Sequence, residues 1–137
     1  MENLVNLIFS TEFGYSIFRV TTPILFAAMA VLISDKAGVV NIGLEGIMLM
    51  SALTGVIGST LTGSLWVGLL SAILGGVLMA MFLAYFSLYL KADIILTGIV
   101  LNLMSSGLTV FILYLLTGQK GISSPLQSRV FPTIDIP

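Results

Sequence analysis

Four polar side chains stand inside or at the edge of long apolar stretches: Asn41, Glu45, Asn102 and Ser106. Asn presents both donors and acceptors, Ser a hydroxyl, and an ionised Glu only acceptors. Neutral groups of this kind suit a hydroxyl-rich molecule, which needs hydrogen bonds and no charge pairing. A lone carboxylate in an apolar stretch suits proton carriage instead, or a purely structural task. Other chemistry is excluded. The chain has no Cys and no His, so disulfides, zinc sites, haem ligation through His and nucleophilic sites built on Cys or His are absent. The phosphate-cradling pattern GxxxxGK[ST] does not occur, and Gly118-Gln119-Lys120-Gly121 has the wrong spacing. No metal or cofactor is expected.

The elements that hold these residues follow from composition. Of 137 residues, 58% are hydrophobic and 8% charged, where a soluble domain carries about 25% charged residues. Five Lys and Arg with six Asp and Glu cannot keep a globular surface wet, and disordered chains are polar and charge-rich. An integral membrane protein is the class that fits. With a net charge of −1 and no basic patch, nucleic acid is not an expected partner. Glu2 and Glu12, without a positive leading segment, argue against a cleaved secretory signal.

Charges divide the chain into spans. Val20–Ser34, Gly46–Leu90 and Ile94–Gln119 are uncharged runs of 15, 45 and 26 residues, and a crossing helix needs about 20 mostly apolar residues. The longest run holds two spans with a turn near Thr62, Gly63 and Ser64. The shortest suffices once extended back through Tyr15 and Phe18, with Arg19 reaching to the headgroups. The expectation is an all-α, polytopic transmembrane bundle with helices at about 15–34, 41–61, 65–90 and 94–117. Residues 1–14 read as an interfacial segment. Residues 118–137, rich in Pro, Gly and Ser, read as a water-exposed loop that stops abruptly.

Small residues recur at steps of four. Ser51, Gly55, Ser59 and Gly63 do so on the second helix, and Gly68, Ala72, Gly76, Ala80 and Ala84 on the third. Gly98, Asn102 and Ser106 do so on the fourth, with Ser105 and Thr109 beside them. Small faces let helices approach closely in lipid, so packing is the first reading. The Asn102 face, which adds polar groups, is the candidate wall of a solute path. So many small faces exceed what four helices satisfy among themselves, which predicts further helices in the assembly.

Residues 34–50 are the least lipid-like part. Gly38, Gly43 and Gly46 weaken a helix, and Asn41 and Glu45 stand four apart, on one face if helical. A carboxylate at membrane depth costs about 2.5–3.5 kcal/mol, and broken backbone there needs protein or a water-filled cavity around it. A broken or re-entrant segment near 35–46 satisfies both. An ordinary turn over 35–41, with Glu45 favouring the first turn of a helix, does so equally.

The string Gly38-Val39-Val40-Asn41-Ile42-Gly43-Leu44-Glu45-Gly46-Ile47-Met48-Leu49 resembles a signature of bacterial ABC importer permeases. The branch is the one for simple sugars and nucleosides, related to ribose and branched-chain amino-acid permeases. Thr22-Pro23-Ile24-Leu25-Phe26-Ala27-Ala28, the stretch Ala92–Leu103 and Phe131-Pro132-Thr133-Ile134-Asp135-Ile136-Pro137 resemble further motifs of that family. Asp93 stands where the family usually has Asn.

The resemblance implies a permease subunit of an importer for a small polar solute, in the cell membrane. It implies a second permease half or subunit, a cytoplasmic ABC ATPase and an external solute-binding protein as partners. It also implies a cytoplasmic 90–93 loop and an external Pro-rich tail. Such permeases have about twice as many helices, so the chain reads as an N-terminal portion, unable to transport alone. The rival reading is a small self-sufficient four-helix antiporter exchanging protons through Glu45.

Overall fold

The computed structural model describes residues 11–118 and Leu126. Most of the expected interfacial segment and of the Pro-rich loop lies outside the described residues. Four helices among the described residues are long and apolar enough to cross a membrane, and no strand is present among them. This is a multi-pass, all-α membrane protein. The chain divides into two compact units, Met1–Val40 and Asn41–Pro137.

The first unit contains α1, Thr11–Lys36. It starts four residues before the expected start, so Thr11–Gly14 of the expected interfacial segment belong to the helix. Pro23 lies inside it. Proline has no N–H to donate four residues back, and beside it the Thr22 hydroxyl donates to the Phe18 carbonyl at 2.7 Å. The helix ends in a turn: Gly38 N–H donates to Asp35 O at 2.9 Å and Val39 N–H to Ser34 O at 3.0 Å. The Ser34 hydroxyl donates to Val39 O at 2.7 Å. The break expected near 35–46 is therefore a hydrogen-bonded turn on this side.

The second unit holds α2 (Leu44–Thr62), α3 (Leu65–Ala84), a π-helical turn (Tyr85–Tyr89) and α4 (Ile94–Thr117). The α2–α3 connection is tight. Gly63 adopts φ 61°, which an L side chain resists, and its N–H closes α2 by donating to Ser59 O at 2.9 Å. Ser64 is extended and starts α3. The chain leaves α3 by widening: Leu90 N–H donates to Tyr85 O and Ala92 N–H to Phe86 O. Tyr85 stacks on Tyr89 and Phe82 on Phe86, with centroids 5.3 and 6.1 Å apart.

Asp93 starts α4, accepting from Ile95 N–H at 2.8 Å and Leu96 N–H at 3.1 Å. It satisfies two of the donors that a helix start leaves free. Asp93→Ala is expected to cost about 1 kcal/mol, while Asp93→Asn, which keeps the acceptor, costs little. Thermal unfolding in detergent checks this, and equal loss in both variants would contradict the capping role.

Met79, Leu83 and Leu101 form the buried core, with Ile47 and Met50 packed on it. This is where α2, α3 and α4 meet. Most other large apolar side chains are exposed, as suits surfaces that face lipid or further protein.

Along α2 and α3 the contact is made by small residues. A Cβ built at Gly68 would stand 2.7 Å from Ser59 Cβ and 3.1 Å from Gly55 O, and one at Gly55 would stand 3.0 Å from Ala72 Cβ. The Ser71 hydroxyl is shared between Gly68 O and, across the interface, Thr54 O at 3.0 Å. Ser51, Gly55, Gly68, Ala72 and Gly76 thus lie at this interface. Ala80 and Ala84 do not. Both are exposed, and the buried line on α3 runs Gly68, Gly75, Met79, Leu83. The reason is helical geometry. At about 100° per residue, each step of four turns the stripe by roughly 40°, so Ala84 faces almost opposite to Gly68. Ala80 instead borders an open groove of about 440 Å³ with Ser51, Ala72, Ile73, Gly76 and Val77.

Candidate functional site

The start of α2 lies against the middle of α4. On α4, Gly98, Leu101, Asn102 and Ser105 recur at spacings of three and four and share a face. Gly98, Leu101 and Ser105 are buried, and Asn102 is half-buried. Opposite them stand Ile42, Gly43 and Gly46.

Asn102 joins the two elements with both ends of its amide. Its Oδ1 accepts from Gly46 N–H at 2.7 Å, and its Nδ2 donates to Ile42 O at 2.9 Å. These are short, direct bonds, spanning 56 and 60 residues of chain.

Two glycines make the approach possible. A Cβ on Gly46 would stand 2.8 Å from Ser105 Oγ, 2.9 Å from Asn102 Oδ1 and 3.0 Å from Leu101 O. One on Gly98 would stand 2.9 Å from Gly43 N and 3.2 Å from Ile42 Cβ. Gly46, one of the glycines that weaken the segment as helix, is what lets it seat against α4.

Not every expected site residue joins this contact. Asn41 precedes α2 instead of lying in it, so it does not share a helical face with Glu45. It is half-buried, and its Oδ1 has no hydrogen-bond partner among the described residues. Glu45 occupies the first turn, is exposed, and makes no hydrogen bond or ion pair among the described residues. A bond from Glu45 to backbone or to Asn41, the structural role its position suggests, is therefore not formed. Ser106 is exposed and lies off the contact face. Counting from Gly98, Ser106 is rotated by roughly 80° and Ser105 by only about 20° the other way.

Ser105 is the residue that the step-of-four reading put to the side. It is fully buried at 0% exposure, and its hydroxyl has no partner among the described residues. The spacing Gly98-Leu101-Ser105 carried the signal, because it follows the true helical period. The close approach of Gly46 to Leu101 O carried none.

Two apolar clefts flank the contact. One, of about 290 Å³, lies between the end of α3 and α4, with Phe82, Phe86, Leu96, Val100 and Met104 in its walls. The other, of about 130 Å³, lies between α2 and α4 at Leu49, Leu53, Thr109 and Leu113. Neither is lined by a charged side chain, and no group of His, Cys, Asp or Glu able to hold a metal occurs among the described residues.

A family model described as the permease component of branched-chain amino acid transport systems matches residues 15–134. A putative glucose ABC transporter permease protein of Haloferax volcanii is 38% identical over 93 residues, covering 68% of this chain and 28% of the relative. The nucleoside ABC transporter permease protein NupC of Lactococcus lactis is 33% identical over 109 residues, covering 75% and 34%. The guanosine ABC transporter permease protein NupQ of Bacillus subtilis is 32% identical over 125 residues, covering 84% and 39%. The chain therefore spans about a third of the length of these relatives. No solved structure matches.

Proposed function

The chain belongs to the family of branched-chain amino acid transport permease components, and on that premise we propose that it forms part of the membrane-spanning permease of an ABC importer. The solute would be a small neutral polar molecule, a nucleoside or a simple sugar. The observation that carries this reading is the match across residues 15–134, which takes in three spans whole, all but the first four residues of α1, and the α2–α4 contact. Relatives named for glucose, nucleoside and guanosine support the solute class.

The permease supplies the path. Hydrolysis of ATP falls to a cytoplasmic ABC ATPase, capture of solute to an external binding protein, and closure of the path to a second permease half or subunit. Among the polar candidates, Asn41, Glu45 and Ser106 retain free hydrogen-bonding capacity for solute. Both ends of the Asn102 amide are already engaged.

The test is uptake of labelled nucleosides and sugars into vesicles that hold the full-length permease with its ATPase and binding protein. ATP-dependent uptake of one of these classes is expected. Glu45→Gln should retain most of the rate, because the exposed carboxylate has no partner among the described residues to lose. Uptake driven by a proton gradient without ATP, and abolished by Glu45→Gln, would overturn the importer reading in favour of proton exchange.

A further inference from the structure

The two outer helices of this contact solve the problem of a helix start differently. A helix leaves its first N–H groups without intrahelical partners, and a cap accepts from the second or third of them. On α4 the cap is local: Asp93 reaches Ile95 and Leu96. On α2 the cap position is Gly43, which has no side chain and makes no side-chain cap bond.

The backbone at position 43 is also not set for a local cap. At φ −74° and ψ 3°, it is not in the extended conformation from which a capping side chain turns back. A Cβ there would stand in ordinary contact with α3 and α4, 3.4 Å from Leu101 Cδ2 and 3.5 Å from Gly98 Cα and Leu83 Cδ2. The start of α2 thus packs on its neighbours without a cap of its own.

Gly46 is the third residue of α2, and its N–H is the donor that an N-cap side chain would take. Asn102 Oδ1 takes it from another helix, at 2.7 Å. The same amide ties down Ile42 O, just ahead of the cap position. We infer that Asn102 is the N-terminal cap of α2, supplied from α4, and acts as a positioning residue that makes the first turn of α2 and the middle of α4 move together. A hydrophobic contact would let the helices slide; a two-ended amide fixes both height and rotation of the α2 start. Asn supplies the acceptor and the donor that this needs, and Asp or Leu of similar size supplies only one or neither.

This goes beyond the importer reading and does not depend on the solute. Hydrogen exchange at the Gly46 amide in the full-length protein tests it. Asn102→Ala should speed exchange there by roughly tenfold, with the amides from Gly75 to Leu83 unchanged. Asn102→Asp, which keeps the acceptor, should hold Gly46 within about twofold of the parent, and it decides the matter if the Ala variant does not fold. In uptake, Asn102→Asp should lower the maximal rate and leave KM unchanged. Unchanged Gly46 exchange in Asn102→Ala would overturn the capping role, as would lost protection in Asn102→Asp. A raised KM with Gly46 fully protected would make Asn102 a solute ligand and overturn the positioning role.

Discussion

Gly46→Leu is expected to abolish accumulation of folded protein, and Gly46→Ala to cost about 2 kcal/mol or more. The first added carbon meets Ser105 Oγ at 2.8 Å, Asn102 Oδ1 at 2.9 Å and the Leu101 carbonyl oxygen at 3.0 Å. A side chain can rotate away, but the backbone of α4 moves only if the whole helix moves. Moving it lengthens the bonds from Asn102 to Gly46 and Ile42 together and opens the Met79–Leu83–Leu101 core. Gly107 is the control on the same helix as Asn102. A Cβ there meets nothing within 4 Å, and Gly107→Ala gains up to about 1 kcal/mol of helix propensity. The measurement is the yield of monodisperse protein after detergent extraction, followed by thermal unfolding. Equal behaviour of Gly46→Ala and Gly107→Ala would remove the steric basis of the α2–α4 contact.

The second large effect belongs to α2–α3. Gly68→Ala should destabilise by about 1–3 kcal/mol, because the added carbon stands 2.7 Å from Ser59 Cβ, 3.1 Å from Gly55 O and 3.3 Å from Ser59 Cα. All three are backbone or atoms fixed to it. Gly76→Ala should be milder, under about 1 kcal/mol, although it too faces a close atom. That atom is Ser51 Oγ, at 2.6 Å, the end of a side chain that can leave its bond to Ile47 O and rotate. Combining Gly76→Ala with Ser51→Ala should therefore recover most of the loss, which a double-mutant cycle measures. Gly76→Leu should cost more than Gly76→Ala, since a bulkier side chain starts from the same point 2.6 Å from Ser51 Oγ on a face where α2 and α3 approach closely. Should Gly68→Ala and Gly76→Ala prove equally damaging, the distinction between rigid and rotatable neighbours would fail.

The spans were legible from the order of residues alone. A charged side chain resists the apolar interior, so the long gaps from Arg19 to Asp35, from Glu45 to Lys91 and from Asp93 to Lys120 pointed to the crossings, although Arg19 itself lies within α1. The C-terminal end of α2 and the start of α4 were equally local matters. Gly63 supplies the left-handed turn, and Asp93 caps the residues that follow it. That small residues mediate contact between α2 and α3 was legible too, because lipid offers no reward for large apolar faces over small ones.

Which residues touch depends on how the helices pack. Steps of four approximate a helix face over two turns and drift off it thereafter, so Ala80 and Ala84 are exposed, and Ser105 rather than Ser106 shares the packed face with Gly98. The partners of Asn102 lie 56 and 60 residues away, and only the approach of two backbones at Gly46 and Gly98 brings them within reach. No local property of an Asn distinguishes one that lines a path from one that caps another helix. The difference lies in the hydrogen-bonding capacity left after folding, and that is a property of the packed helices.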